Sequence, residues 1–169
     1  MFRIDENIKG EDNYIIKEDL KKYDMIVISD YNKGFIGENL LKQINNHPLI
    51  FADTKKKDLR MFKDAIIKIN EKEDMVIKNK HSGELIVTLG KRGCSYDNDI
   101  YPTRVVNVID VTGAGDSFLS GLTTHYIKTQ DIREAIKYAN IVSSIAVSKR
   151  GTATVTKEEV EAIYNGKNC

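Results

Sequence analysis

Short apolar runs alternate with amphipathic segments along the chain. Met25-Ile26-Val27-Ile28 predicts a buried strand, a turn follows over 30–34, and Ile36, Leu40, Leu41 and Ile44 recur at helical spacing. Leu49-Ile50-Phe51 predicts the next strand, 59–62 a short helix, and Ala65-Ile66-Ile67 another strand. Residues 85–89 read as a strand, and Cys94-Ser95-Tyr96 pairs with Ile100-Tyr101 across an Asp97-Asn98-Asp99 turn. The last third is helical over 115–127, 132–148 and 157–164, with Asp131 and Thr156 as N-caps of the final two.

Strands separated by helices imply crossover connections, hence an α/β fold with a mainly parallel sheet flanked by helices. No linker, repeat or low-complexity tract interrupts the pattern, so 1–169 is read as a single domain. Ligands of such sheets gather at the carboxyl ends of the strands. That rule singles out Asp30, Asp53, Asn70, Thr88-Leu89-Gly90 and Asp110. Turn and cap chemistry accounts for each singly, but less well for the set.

Composition narrows the class. The chain is 41% hydrophobic and 30% charged, which suits a soluble globular fold. Its 26 Lys+Arg against 25 Asp+Glu leave no global field for nucleic acid or a membrane. Lys55, Lys56, Lys57 and Arg60 form one local basic cluster, either a solvated helix start or a phosphate contact. Cys94 and Cys169 make no disulfide framework. Met1-Phe2-Arg3-Ile4-Asp5 is no signal peptide, and no apolar run approaches the ~20 residues of a membrane span. A cytoplasmic location is expected. His47, His81 and His125 show no metal-ligand spacing.

Candidate chemistry concentrates in Asp110-Val111-Thr112-Gly113-Ala114-Gly115-Asp116-Ser117-Phe118. It lies between an apolar β-branched stretch (Val105, Val106, Val108, Ile109) and a helix-like stretch beginning near Ala114. Small residues there let backbone N–H groups approach a ligand, and a helix start offers unpaired N–H groups to an anion. Asp116 falls in the first turn, where a carboxylate beside an anion pocket suits removal of a proton from an attacking hydroxyl. A Gly-rich turn with an acidic first helical turn would give the same short pattern without function. Phe118 breaks a dinucleotide fingerprint, and no Gly-Lys-Ser or Gly-Lys-Thr completes a P-loop.

The fourteen positions from Asp110 to Thr123 resemble the signature of the PfkB (ribokinase-like) carbohydrate kinases. The resemblance implies Asp116 as catalytic base and the backbone of Gly113, Ala114 and Gly115 as anion hole. It also places Ser120-Gly121 where helix and sheet pack closely. Ser29-Asp30-Tyr31-Asn32-Lys33-Gly34-Phe35 resembles an element of the heptose 7-phosphate kinases, a subgroup that includes the kinase half of bifunctional ADP-heptose synthases. Phe2-Arg3-Ile4-Asp5 resembles the Arg-x-Asp that precedes it there, and Phe51-Ala52-Asp53-Thr54-Lys55 its Asp-Pro-Lys, with Thr54 in place of proline. These matches imply Asp30, Lys33 and Lys55 at the sugar-phosphate site. Solvated turn lysines read the same way from spacing alone.

Asn70-Glu71-Lys72-Glu73 resembles the family's Asn-x-x-Glu, which orders magnesium; it also spells a capping box, and both can hold at once. Asp110 is assigned to the metal site with Asn70 and Glu73, and a monovalent cation is a further inorganic partner. Thr88, Gly90 and Gly93 match the Thr-x-Gly-x-x-Gly that lines ATP phosphates, though a hairpin turn would serve as well. Asn140 falls where the family places an asparagine near adenine, and Gly151 on a turn beside the nucleotide, where a helix stop is also expected. Asn70 counts among the nucleotide-site residues too.

The resemblance covers only the C-terminal half of such a kinase, without the N-terminal half and lid. Residues 72–82 are too short for the helical structure the family carries there. An exposed strand edge is therefore expected, with self-association or pairing with a missing half. ATP-dependent phosphorylation of a sugar hydroxyl, with heptose 7-phosphate as substrate, is the leading expectation. A kinase for another sugar such as ribose or fructose, and a non-catalytic nucleotide- or partner-binding remnant, are the alternatives.

Overall fold

The structure is a computed structural model that describes residues 14–81, 83–104 and 106–166. The Phe2-Arg3-Ile4-Asp5 element, Val105 and Cys169 lie outside the described residues. The chain divides into two compact units, Met1–Leu85 and Ile86–Cys169.

In the first unit, β1 (Ile26–Asp30), β2 (Ile50–Thr54) and β3 (Ile66–Asn70) pair in parallel, with Ile28 opposite Ala52 and Ala52 opposite Ile67. Helix α1 (Glu38–Ile44) connects β1 to β2 and buries Leu40, Leu41 and Ile44, the stripe its spacing predicts. A single 3-10 turn, Leu59–Phe62, connects β2 to β3 and closes over the core with Leu59 and Phe62 fully buried. β2 and β3 are buried at nearly every position, the continuous apolar pattern of a strand covered on both faces. β1 differs: Ile28 is buried while Val27 is 44% exposed, and among the described residues β1 is an end strand of the sheet. Helix α2 (Glu71–Asp74) is one turn, in keeping with the brevity of this stretch.

The next strand, β4 (Leu85–Thr88), leads into the second unit. There it pairs antiparallel with β5 (Cys94–Tyr96), which pairs antiparallel with β6 (Asp99–Tyr101). Asp97 and Asn98 both take positive φ (52° and 64°), the conformation that matches a tight hairpin to strand twist. Arg133 grips that turn, donating to Asp97 (2.7 Å), Asp99 (2.8 Å) and the Tyr101 hydroxyl (2.6 Å). Helix α3 (Ala114–Thr129) packs on α4 (Ile132–Val147), and α4 on α5 (Lys157–Tyr164). Asp131 caps α4 through the Arg133 and Glu134 amides, and Thr156 caps α5 in a capping box with Glu159.

The predicted α/β class is observed. Parallel pairing belongs to the first unit, and the predicted hairpin lies in the second. Two local expectations are corrected. No strand forms over the described residues 106–109: the Ile109 and Asp110 amides donate instead to Val147 O at the end of α4 (2.8 and 3.2 Å). Gly121 serves contact between helices rather than helix and sheet, since its nearest neighbours are Val142 and Ala139 of α4.

Candidate active site

Helix α3 starts where the glycine motif predicts. Gly113 occupies the N-cap position at φ 76°, a left-handed conformation that glycine adopts without steric cost. No side chain caps this terminus, whereas Asp131 and Thr156 cap α4 and α5. Its first turn and the positive end of its dipole are thus without a competing side-chain acceptor, while Ala114 N donates to Val111 O (3.2 Å). Asp116 stands in that first turn and is exposed. An exposed carboxylate and a helix start without a side-chain cap therefore share one helical turn.

Asp110 stands before the turn, with both carboxylate oxygens engaged. Oδ1 accepts from Thr112 N (2.8 Å) and Oδ2 from Gly151 N (3.1 Å), forty-one positions along the chain. These amides, Thr112 first, hold its carboxyl below the usual range. No group of three His, Cys, Asp or Glu that could hold a metal exists among the described residues. Asp110's observed partners are thus backbone donors.

The Thr88–Gly93 element forms a tight turn at the end of β4. Gly90 (φ 59°) faces open space, while a side chain at Gly93 (φ 90°) would drive into the backbone at Tyr101–Thr103. Gly93 is thus required by hairpin packing, and Gly90 is the more accessible of the pair. Asn140 is 4% exposed and turned inward: Nδ2 donates to Tyr101 O at 2.9 Å and approaches Cys94 Sγ at 3.9 Å. The Nδ2 group thus holds β6 against α4, a role separate from the adenine contact that the resemblance implies. Cys94 is buried, which pushes its thiol up to about 12 and leaves it inert.

In the first unit Asp30, Thr54 and Asn70 are the last residues of β1, β2 and β3. Asp30 is buried; it accepts from Asn32 N (2.8 Å) and Thr54 Oγ1 (2.9 Å), with Lys56 Nζ at 3.5 Å. Its carboxylate therefore braces the turn that carries Lys33, an exposed residue between Asn32 (φ 55°) and Gly34 (φ 96°). Lys55 lies 4.6 Å from the centroid of the exposed Tyr31 ring. Asn70 and Glu73 form the predicted capping box: Asn70 Oδ1 accepts from Glu73 N (2.9 Å) and Glu73 Oε2 accepts from Asn70 N (2.8 Å). Both side chains are half-buried, and Glu73 Oε1 takes no part in the box. Magnesium keeps most of its water, so this donor set fits it.

Sequence reasoning passed over Thr54, Lys56 as Asp30's partner, and Lys68. Lys68 Nζ donates to Asp53 Oδ2 at 2.7 Å from the neighbouring strand, with 5% of its side chain exposed. The signal was present: Lys68 interrupts Ile66-Ile67-x-Ile69, and a cation inside a buried strand needs a carboxylate partner.

The glycine motif thus forms an uncapped helix start with a first-turn aspartate in an α/β fold, as the sequence leads one to expect. The model of the pfkB family carbohydrate kinases matches residues 15–159, and the chain belongs to that family. It is 31% identical to the bifunctional protein HldE of Campylobacter curvus, over 95% of this chain and 40% of that protein. It is 33% identical to the HldE of a Nitratiruptor species, over 84% and 36% respectively. The chain thus spans about two fifths of the length of these curated relatives. Among solved structures, a ribokinase from Thermotoga maritima superposes with a TM-score of 0.69 at 21% identity, covering 88% of this chain and 58% of the other. Phosphofructokinase-2 from Escherichia coli, in complex with potassium, gives 0.70 at 17% identity over 83% and 56%. The fold is ribokinase-like, and the family is one of kinases.

Proposed function

We propose that this chain is the nucleotide-binding, C-terminal part of an ATP-dependent sugar kinase that acts on a heptose 7-phosphate. The observation that carries the reading is Asp116 in the first turn of a helix that Gly113 starts and no side chain caps. Asp116 takes the proton from a sugar hydroxyl as that oxygen attacks the γ-phosphorus. The bond to the β–γ bridging oxygen breaks, and ADP leaves. Amides of the Gly113–Gly115 turn stabilise charge on the transferring group. Gly90 and Gly151, both at positive φ with open space around them, let backbone approach the nucleotide, beside Thr88. Asn70 and Glu73 would hold a magnesium ion, which when bound would supply charge neutralisation to the phosphates. Lys33 and Lys55 act as point charges for the substrate phosphate, and Asp30 braces the turn that carries Lys33.

Support for heptose lies in the Ser29–Phe35 element and in the HldE relatives. A ribokinase from Arabidopsis thaliana complexed with ribose and ATP shares the fold at 17% identity, so ribose and fructose belong in the substrate panel. The share of the relatives that the chain spans favours one further reading, a nucleotide-binding piece that needs the remainder of a kinase domain. Among the described residues β1 is an end strand with Val27 exposed, which gives such a remainder, or a second copy, a place to add a strand.

The test is Asp116→Asn assayed with ATP, magnesium and a sugar panel. Loss of a general base lowers turnover by ~10²–10⁴-fold while nucleotide affinity persists. Equal turnover of the two forms removes the assignment. Nucleotide binding without transfer by the wild-type chain at every concentration selects the binding piece.

A further inference from the structure

We propose that Asp110 is a positioning residue: its carboxylate staples the turn after α4 to the start of α3 and thereby fixes the backbone cradle at Gly113–Gly115. The inference rests on the proposed nucleotide site for its functional consequence, but the staple itself stands on geometry.

Three observations converge within the second unit. First, one carboxylate bridges two backbone donors distant in sequence, Thr112 N at 2.8 Å on the α3 side and Gly151 N at 3.1 Å on the α4 side. Second, the two turns touch: a Cβ on Gly113 would lie 3.5 Å from Thr152 Cγ2. Third, Gly151 is at φ 66° with nothing within 4 Å of the position a Cβ would take, so packing around it does not dictate its conformation. The rest of the loop is anchored elsewhere, where Lys149 Nζ reaches Thr154 O (2.9 Å) and Glu159 Oε2 (2.7 Å). Between those anchors the turn is held by the Asp110 bridge together with the local bond from Ala153 N to Gly151 O (2.9 Å).

The Ile109 and Asp110 amides both donate to Val147 O, which brings the segment to the end of α4, and Ala114 N donates to Val111 O (3.2 Å) across the turn that follows. The bond from Thr112 N to Asp110 Oδ1 ties that turn to the bridge one residue before Gly113. Charge-assisted hydrogen bonds are shorter and stronger than neutral ones, so a carboxylate suits the task better than an amide would. A change at Asp110 would thus tilt the first-turn amides of α3 without touching them.

The test uses the full chain, with Asp110→Ala and Asp110→Asn. Amide hydrogen exchange is read at Thr112, Ala114 and Gly151, whose N–H groups all donate (Ala114 N to Val111 O at 3.2 Å), and affinity for ATP with magnesium by titration calorimetry. In Asp110→Ala the three amides exchange at least ~10-fold faster and ATP affinity falls ~10-fold, the scale of one lost bond to a charged group. Asp110→Asn keeps one acceptor oxygen and falls between wild type and Ala in both readouts. Unchanged exchange at Ala114 in Asp110→Ala overturns the proposal, because the cradle then does not depend on the bridge. Faster exchange with unchanged ATP affinity overturns it equally, leaving a loop brace without effect on binding. If wild type binds no nucleotide, the proposed function fails by itself, and exchange at Ala114 still decides the staple. Should Asp110→Ala fail to fold, Asp110→Asn carries the same comparison.

Discussion

Gly121 of α3 faces Val142 of α4 so closely that a Cβ at position 121 would lie 2.9 Å from Val142 Cγ2 and 3.1 Å from Ala139 Cα. The valine methyl could turn aside, but the Ala139 backbone could not. Gly121→Ala therefore sets a helix-propensity gain of up to ~1 kcal/mol against an overpacking cost of ~1–3 kcal/mol. The expected outcome is a net loss of stability, read as a lower urea midpoint with an unchanged slope. A rise in the midpoint would show that the α3–α4 contact has slack.

The two glycines of the turn after β4 should separate cleanly. A Cβ at Gly90 meets nothing within 4 Å, so Gly90→Ala carries only the backbone cost of φ 59°, ~1–2 kcal/mol. At Gly93 a Cβ would lie 2.7 Å from Thr103 N and closer still to Tyr101 O. Gly93→Ala adds overpacking against rigid backbone, for a total of ~2–5 kcal/mol. Thermal denaturation of the two variants side by side checks the order.

Much of this was legible from the chain because local rules and the fold agree. Asp131, Thr156 and Asn70 cap the helices that their positions announce, and the Asp97-Asn98 turn forms as its residue types require. Legibility failed where tertiary contacts overrule local pattern. Val106, Val108 and Ile109 spell a strand, yet their segment finds its hydrogen-bond partner at the end of α4. Asn140 matched a family position, but which way an amide points is decided by the unmet carbonyl of Tyr101. The Asp110–Gly151 bond joins turns too distant in sequence for any spacing rule to reveal.

Asn140→Ala tests the inward role directly. The substitution leaves Tyr101 O buried without its donor, which costs ~1–3 kcal/mol. Chemical denaturation should show that loss, while ATP affinity, measured well below the melting temperature, stays at the wild-type value. Weaker ATP binding without a change in stability would return Asn140 to the nucleotide site.

His125 supplies a pH dependence. It stacks on Tyr138 (centroids 4.4 Å apart) and its Nε2 lies 3.3 Å from the Tyr164 hydroxyl, which donates to Glu134 Oε2. Burial lowers its pKa from the ordinary 6.5, with the nearby Glu134 charge opposing and Lys128 reinforcing. A base whose folded pKa lies below its unfolded value adds stability above the unfolded value. That stability is lost as pH falls from there through the folded value. The melting temperature of wild type should therefore fall between neutral and mildly acidic pH more steeply than that of His125→Gln. Parallel curves for the two proteins would remove His125 as the cause.

The Lys68–Asp53 pair makes the final prediction, and its sign depends on which partner is removed. Only 5% of the Lys68 side chain and 17% of the Asp53 side chain are exposed, and their atoms meet at 2.7 Å across adjacent parallel strands. Such a pair gains Coulomb energy but loses hydration, so its net worth is small. Removing one partner is different, because the other charge stays desolvated and unpaired. Asp53→Asn leaves the more deeply buried ammonium behind and should cost ~3–5 kcal/mol at neutral pH. Lys68→Met leaves the carboxylate, which retains more contact with solvent and has further interactions, so its loss should be smaller. Denaturation curves of both variants at neutral pH check the order. Equal losses in the two would mean that packing, rather than charge, holds these two strands at their carboxyl ends.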